Sequence, residues 1–556
     1  MIATLKKIYG HFVHQRLFYQ QFKFQNELRE KYQGADNYSR LEYIIKVQTH
    51  GIEKGLSFRT PKEAFGVVKI MALIENLKIY IQYPNLNKES VNETLNVLNT
   101  YINKFKGNPK IEQIVKEYNI LTAKFGVIEE CCVGTMTIHK KDVEEAASIA
   151  VSESIAEEQA RLAAEVESLL EESERMAAGY DFDGAVALID TFSGNIGGYP
   201  ELQDARARYD YSKESLVLWE DPNAIINLSF QTLIADPERA YKDKEYGKSL
   251  KKNFITTTEF QRILERLYEN NYVLVGLKDF IETGTADSGT PYYKYKELYL
   301  PPGKKPIVLT QTNVNYNLYL VDSDKDYIAD KDGLGIASKL LVDSSGKVVN
   351  EIVNADGTVS TGAYDLVPIL DAFVEEHPDF SYHGSKAVLA LTGYNGLFGY
   401  RTHAKGQKKL GEEQYEKDVA SVKAVAAALK ESGYELGCYT YGNNAYGKHS
   451  LSQIQSDISD WNEEVEPILG DLEIMVFAQN SDIKTSVLYS GSKFEYLKAQ
   501  GFNYFLGFCN EGDPFTFIAE DYVRQGRLLV TGDNLKSNAK WFKTIFETDG
   551  ILDESR

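Results

Sequence analysis

Alternating strand and helix patterns run through the chain from about residue 219 and constrain its fold more than any other feature. Short apolar runs predict strands at 225–234, 272–277, 306–311, 387–392, 436–440, 474–478 and 502–508. Amphipathic periodicity predicts helices at 260–268, 364–376, 413–432, 451–469 and 494–500. Such alternation is typical of a mostly parallel sheet, and connections long enough for crossovers favour a closed β/α barrel. A hairpin at 340–353 is expected as an insertion.

The first 215 residues carry a different, helical pattern. Residues 1–130 predict an all-helical domain, with apolar periodicity at 62–83 and a capping sequence from Ser90 to Glu93. Residues 131–215 predict a junction, an acidic helix at 142–178 and a helical hairpin formed by 180–189 and 200–211. With the α/β region at 216–556, we expect three domains.

Charge and composition exclude several classes of protein. The net charge of −20 argues against a nucleic-acid partner, which needs a basic surface. No apolar run approaches the length of a membrane span, and the first 24 residues lack the apolar segment of a signal peptide. The four cysteines include no CxxC spacing, so neither a disulfide framework nor a cysteine zinc site is supported. As written, the chain predicts a cytoplasmic protein with no membrane segment.

A polar cluster follows the apolar run at 306–309, where an α/β protein places its chemistry. The cluster, Thr310 to Asn313, has no carboxylate, histidine or cysteine. No G-x-S-x-G, HExxH, P-loop or dinucleotide motif occurs elsewhere. The acidic run from Asp322 to Asp332 resembles a calcium loop, but Tyr327 stands where a glycine is required. We interpret that run as a solvated loop.

The N-terminal region resembles a known leader sequence. The sequence HGIEKGLS at 50–57, followed by Pro61 and FG at 65–66, is similar to the helical leader of nitroreductase-family proteins found with surface-polysaccharide genes. This resemblance covers about residues 1–127. The flavin-binding region of that family has no counterpart here, so we expect no FMN.

The remainder, from about 180 to 556, resembles polysaccharide deacetylases of the NodB-homology type. The matching segments are YDLVPILDAFVEEHPDFSYHGSKAVLALTGYNGLFGYRT (364–402), SFQTLIADPERAY (229–241), YDFDGAVALID (180–190) and NYVLVGLKDF (271–280). The resemblance implies a distorted (β/α) barrel. It also implies the removal of acetyl groups from cell-wall or exopolysaccharide sugars with a divalent metal, usually zinc. Relatives of this region are usually secreted or membrane-anchored.

The resemblance also assigns site residues, most of them substituted. The catalytic aspartate pair falls on Thr312 and Asn313, and the two histidines of the metal site fall on Tyr439 and Asn443. Two further histidine positions hold Gln231 and Gln479, whereas Arg401 matches the family's arginine and Asp482 a later acidic position. Neutral side chains bind zinc poorly, so no metal is expected at Asn313, Tyr439 and Asn443. His403 and His449 are the only histidines near the expected site.

We therefore interpret the chain as a polysaccharide deacetylase-like protein whose active site is degenerate and whose barrel binds a polysaccharide or a peptidoglycan-like glycan. Aromatic rings stack on sugars. The candidate binding residues are Tyr394, Tyr400, Tyr439, Tyr441, Asn443 and Asp482, and Tyr446 lies in the same segments. An active metal-dependent deacetylase, with zinc or another divalent metal held by other ligands, is one alternative. A non-catalytic interaction scaffold is another, and the sequence identifies no protein partner.

Overall fold

The computed structural model describes residues 96, 98–100, 102–104, 140–287, 289, 291–484, 488–509 and 514–556. Residues 98–100 and 102–104 are helical, and the other expectations for the helical domain at 1–130 lie outside the described residues. The chain divides into two compact units, Met1–Ala164 and Glu165–Arg556. No helix in the described ranges is long and apolar enough to cross a membrane.

In the described range 140–214, three α-helices precede the α/β region, as the sequence predicts. Helix α1 spans Lys140–Ala178, α2 spans Phe182–Ile189 and α3 spans Pro200–Glu214. The side chain of Asp181 caps α2 by accepting from the Gly184 amide at 2.9 Å. Buried residues of α2 and α3 pack together, and the hydroxyls of Ser173 and Tyr209 lie 3.2 Å apart, which joins α1 to α3. The second unit thus begins with a packed helical layer.

The residues described after 216 form sixteen strands. They are β1 Val217–Leu218, β2 Ile226–Phe230, β3 Tyr272–Leu274, β4 Ile281–Thr285, β5 Pro291–Tyr295, β6 Tyr299–Leu300, β7 Lys305–Thr312, β8 Lys339–Val342, β9 Val348–Val353, β10 Val359–Gly362, β11 Ala387–Leu391, β12 Glu435–Cys438, β13 Ile474–Val476, β14 Tyr504–Phe508, β15 Thr516–Ile518 and β16 Val523–Leu529. The helices are α4 Pro237–Lys242, α5 Gly247–Asn253, α6 Thr257–Glu269, α7 Leu277–Phe280, α8 Leu318–Val321, α9 Leu366–Glu376, α10 Ala404–Leu410, α11 Glu412–Glu431, α12 Leu451–Glu464, α13 Glu466–Leu469, α14 Ser492–Ala499 and α15 Gly532–Lys536.

Seven parallel strands close into a barrel in the order β2, β7, β11, β12, β13, β14 and β16, and β16 pairs back to β2. β3 extends the sheet beside the first residues of β7. The predicted distorted (β/α) barrel is therefore confirmed. Because all seven strands are parallel, their carboxyl ends meet at one end of the barrel, which we call the mouth.

Several predicted elements need correction. The strand at 272–277 ends at Leu274, and Leu277 begins the short helix α7. The helix at 451–469 is divided at Val465, because the proline of the EPIL segment cannot donate the next backbone hydrogen bond. The predicted hairpin is present as β8 and β9, and β10 adds a third strand to it. β16 was not predicted at all.

The barrel separates two cores. Leu228, Leu309 and Phe505 face outward into a large cluster shared with the surrounding helices. Val308 and Leu506, from the alternate positions of β7 and β14, belong to a second cluster that fills the barrel. Polar residues share that interior: Asn227 donates to Gln525 Oε1 at 2.8 Å and accepts from Thr310 Oγ1 at 2.9 Å. The barrel interior is thus partly a hydrogen-bonded polar core.

A buried carboxylate joins the first barrel strands. Asp365, directly before α9, is 0% exposed and accepts from the Leu233 amide at 2.9 Å, Gln311 Nε2 at 2.6 Å and the Tyr316 hydroxyl at 2.9 Å. Asn350 of the hairpin donates to the same hydroxyl at 2.9 Å. Burial raises the pKa of Asp365 to about 6, although these donors oppose the rise. The segments after β2 and β7 are therefore fixed to one side chain.

This raised pKa predicts a pH-dependent stability. The pKa of Asp365 is higher in the folded protein than in the unfolded chain. Its contribution to the free energy of unfolding is therefore complete at low pH and is lost as pH rises through about 6. Between pH 4.5 and 7.5 we expect the parent's free energy of unfolding to fall by roughly 2 kcal/mol more than that of Asp365→Asn. Urea unfolding of both proteins measures this difference. Parallel pH profiles would contradict it.

Candidate functional site

Four neutral residues in the described part of the mouth are joined by hydrogen bonds in two pairs. Asn313, directly after β7, donates through Nδ2 to Gln231 Oε1 at 2.8 Å. Gln479, after β13, donates through Nε2 to the backbone oxygen of Asn443 at 2.7 Å. All four stand where the sequence resemblance expects metal ligands or their neighbours. The structure thus brings these positions together as two pairs, and its hydrogen bonds do not connect one pair to the other.

Two further predicted positions face the barrel interior. Thr312 is 1% exposed and its hydroxyl donates to the Phe230 carbonyl at 3.2 Å. Tyr439 is 4% exposed and belongs to the cluster that fills the barrel. Neither side chain is an imidazole, a thiolate or a carboxylate, the groups that bind zinc in proteins.

The backbone at three strand ends adopts the left-handed conformation. The φ angles are 61° at Asn313, 62° at Thr440 and 52° at Gln479, and Asn443 follows with 57°. Threonine and glutamine rarely occupy this region, and such strain is frequent around functional sites. The mouth therefore keeps an unusual backbone although its side chains are neutral.

Some side-chain oxygens in the described part of the mouth have no hydrogen-bond partner. Asn313 Oδ1, Asn443 Oδ1 and Thr392 Oγ1 are buried atoms without a hydrogen-bond partner. Thr392 is 0% exposed and follows β11, where strand alternation with Val388 and Ala390 directs it into the barrel. A buried acceptor without a donor costs about 1–3 kcal/mol, so these atoms suit a ligand that donates hydrogen bonds.

The described residues of the mouth do not fit a zinc ion. Zinc needs imidazole, thiolate or carboxylate ligands in tetrahedral geometry. Among the described residues, the only group of three such side chains close enough to share an ion is Asp322, Asp324 and Asp330, in the acidic loop after α8. His403 stacks on Tyr327 at a centroid distance of 5.7 Å, and burial lowers its pKa to about 4. Among the described residues, neither His403 nor His449 belongs to a group of three side chains that could share a metal ion.

A buried arginine supplies positive charge beneath the mouth. Arg527 of β16 is 3% exposed and donates to Ser229 Oγ at 2.9 Å, the Phe477 carbonyl at 2.9 Å and the Gly507 carbonyl at 3.2 Å. Burial lowers its pKa, and nearby Tyr439 opposes that change. The sequence analysis did not identify Arg527, because its strand was missed.

Arg401 supports the loop after β7. It is 4% exposed, and its guanidinium donates to the carbonyls of Tyr316 at 3.1 Å and Asn395 at 3.0 Å. Burial lowers its pKa to about 10, and Asp322 and Asp418 oppose the shift. None of its hydrogen bonds reaches Thr312. Its observed role is to hold two loops together rather than to contact the predicted catalytic pair.

Asp482 lies in a buried ion pair. Its carboxylate accepts from Arg524 at 2.7 Å and from the Tyr489 hydroxyl at 2.6 Å, and the paired side chains are 10% and 3% exposed. The Arg524 guanidinium also lies over the Tyr489 ring, 4.3 Å from its centroid. The carboxylate is thus engaged inside the protein.

The predicted tyrosines occupy different environments. Tyr446 is 0% exposed and donates to Asp457 at 2.7 Å, and Tyr441 donates to Glu464 at 2.6 Å. Tyr400 lies beside Lys339 of the hairpin, whose Nζ is 5.8 Å from the ring centroid. Tyr394 is half-buried, and burial, with a smaller contribution from nearby Tyr319, raises its pKa to about 12. Tyr394 therefore has a second tyrosine close to it.

Two tyrosines that the sequence analysis did not select extend this group. Tyr319 in α8 is 45% exposed, and its ring centroid lies 5.4 Å from that of Tyr246. Both stand in segments that follow strand ends, which is the signal that could have identified them. Tyr394, Tyr319 and Tyr246, which we call the rim tyrosines, follow the adjacent strands β11, β7 and β2.

Comparison with known proteins gives little beyond this geometry. No family model matches the chain, and no curated protein matches it. Among solved structures, the chain is similar to the Streptococcus pyogenes deacetylase PplD in complex with acetate, with 11% identity and a TM-score of 0.29. The match covers 58% of this chain and 99% of that one. The description of the fold therefore rests on the observed strand order.

The buried position of Asp482 predicts a structural effect when it is replaced. Asp482→Ala removes an acceptor from Arg524 and Tyr489, so we expect the free energy of unfolding to fall by on the order of 3 kcal/mol. Glu238→Ala is the control, because Glu238 pairs with Lys242 at 79% and 75% exposure; that change should cost below about 0.5 kcal/mol. Urea unfolding compares the two. Equal stabilities would assign Asp482 a role other than this contact.

Proposed function

We propose that this chain is a polysaccharide deacetylase-like protein with a degenerate metal site that binds a glycan without hydrolysing it. Two lines of reasoning support the proposal. The segments at 364–402 and 229–241 resemble the deacetylase family. The residues at the family's ligand positions follow strands β2, β7, β12 and β13 of a closed parallel barrel.

The observation that carries the proposal is that amide residues stand at the mouth and are joined by hydrogen bonds in two pairs. Deacetylation needs a metal-bound water and a base that removes its proton. Asn313 bonded to Gln231, and Gln479 bonded to Asn443, offer neither an anionic ligand nor a base. Amide side chains neither gain nor lose a proton near neutral pH, and they bind zinc poorly without an anionic partner. The geometry therefore favours binding over hydrolysis.

Glycan binding agrees with what the mouth does offer. Sugar hydroxyls donate hydrogen bonds, which suits the unpartnered acceptors Asn313 Oδ1, Asn443 Oδ1 and Thr392 Oγ1. Aromatic side chains at the mouth can cover the apolar face of a sugar ring, and Tyr394 and Tyr319 are placed to do so. We expect the glycan to belong to a cell wall or an exopolysaccharide, following the resemblance.

Metal, flavin and activity measurements test the proposal directly. Purified protein should contain below about 0.1 zinc per chain by elemental analysis and show no flavin absorption after desalting, because neutral ligands hold metal weakly. It should release no acetate from acetylated chito-oligosaccharides with or without added zinc. About one zinc per chain together with acetate release would instead support the active deacetylase.

Restoring charged ligands should restore metal binding. In the variant Thr312→Asp, Asn313→Asp, Tyr439→His and Asn443→His, one carboxylate and two imidazoles replace the substituted ligand positions. We expect zinc or cobalt affinity to rise at least about tenfold over the parent by calorimetric titration, since ligand type limits affinity. The single variant Asn443→His is the control, because one imidazole does not make a site. No gain in the quadruple variant would mean that these positions do not converge.

A further inference from the structure

The rim tyrosines form an aromatic surface across three neighbouring strand ends. Tyr246 and Tyr319 lie with ring centroids 5.4 Å apart and planes tilted by 44°. Tyr319 is 45% exposed, although a large aromatic side chain is stabilised by burial. Tyr394 completes the row on the side of β11. An aromatic surface that follows the mouth suits an elongated ligand with apolar faces, which describes an oligosaccharide.

The charge beside this surface selects among glycans. Five aspartates and two lysines occupy residues 322–332, directly after the helix that carries Tyr319. Carboxylate oxygens of Asp322, Asp324 and Asp330 lie within 4.8 Å of one another. Arg239 and Arg401 interact with these aspartates and offset part of their charge. The negative charge that remains repels uronates and phosphates and attracts cations. Tyrosine faces also attract ammonium groups, which adds to the same preference.

The side-chain oxygens at the mouth suit a ligand that carries hydrogen-bond donors. Asn313 Nδ2 and Gln479 Nε2 donate to other residues, whereas Asn313 Oδ1 and Asn443 Oδ1 have no partner. Thr392 Oγ1, also without a partner, belongs to a residue that is 0% exposed. An ammonium group presents three donors, which the amide oxygens of Asn313 and Asn443 can accept.

We infer that the rim tyrosines bind a glycan of 2-amino sugars whose amino groups are free, the form that remains after deacetylation. This inference rests on the glycan-binding function proposed above and adds the state of the sugar that is recognised. In that arrangement Tyr319 stacks on a sugar ring, and the acidic loop after α8 attracts the ammonium groups.

Calorimetry with three tetrasaccharides tests the inference: one of glucosamine, one of N-acetylglucosamine and one of galacturonic acid. We expect the glucosamine tetrasaccharide to bind at least about tenfold more tightly than the acetylated one, and the acidic one to show no binding. Raising the salt concentration should reduce the preference for glucosamine, because screening weakens the attraction of exposed charges.

Variants separate stacking from general charge attraction. Tyr319→Ala leaves the net charge unchanged and should weaken glucosamine binding about tenfold, and Tyr319→Trp should preserve it. Tyr211→Ala is the matched control, because Tyr211 lies in α3 and is 76% exposed. Asp324→Asn should reduce affinity for glucosamine and leave affinity for the acetylated sugar unchanged. Thermal melting confirms that each variant is folded.

The outcomes distinguish this inference from the function on which it rests. Equal affinity for acetylated and free amino sugars, or an unchanged affinity in Tyr319→Ala, overturns the inference and leaves glycan binding intact. Absence of binding to any of these sugars and to peptidoglycan fragments overturns the proposed function as well.

Discussion

The carboxylate of Asp365 connects the parts of the molecule that shape the mouth. It receives hydrogen bonds from Leu233 after β2, from Gln311 on β7 and from Tyr316 in the following loop. The carbonyl of Tyr316 in turn accepts from Arg401. Asp365 and Arg401, both buried, thereby hold the short segment between Asn313 and α8. Each gives the polar groups of that segment a fixed hydrogen-bond partner in place of water. The positions of Asn313 and Tyr319 both depend on this arrangement.

The barrel could be predicted because apolar strands alternate with amphipathic helices. The runs that became β7, β11 and β14 carry enough β-branched and aromatic residues to define strands. The closing strand β16 could not be recognised, since its inward positions include Gln525 and Arg527. A polar residue in the middle of a strand is predicted to be exposed to solvent unless its hydrogen-bond partner is known. Side-chain partners of Gln525 and Arg527 lie about 300 residues earlier in the chain.

The sequence alone predicts only part of the candidate site. Residues directly after a strand, such as Asn313 and Gln479, can be placed at the mouth as soon as the strand is recognised. Which side chains remain exposed is decided by contacts between distant loops. Tyr446 is buried against Asp457, whereas Tyr319 is partly open to solvent. Asp482 likewise reads as a free carboxylate until Arg524 is placed beside it. Contacts between residues far apart in the sequence, rather than residue type, therefore decide which side chains are free to bind a ligand and which support the structure.

The order of the barrel strands has a consequence for synthesis on the ribosome. β16 lies between β14 and β2, yet it is the last of the seven strands along the chain. Until residue 529 has emerged, β2 and β14 each present an unpaired edge, and such edges pair readily with other chains. A nascent chain that stalls before β16 therefore has a nearly complete sheet that cannot close. Protection by chaperones would matter most during that interval, since slow non-local pairing leaves apolar surface exposed.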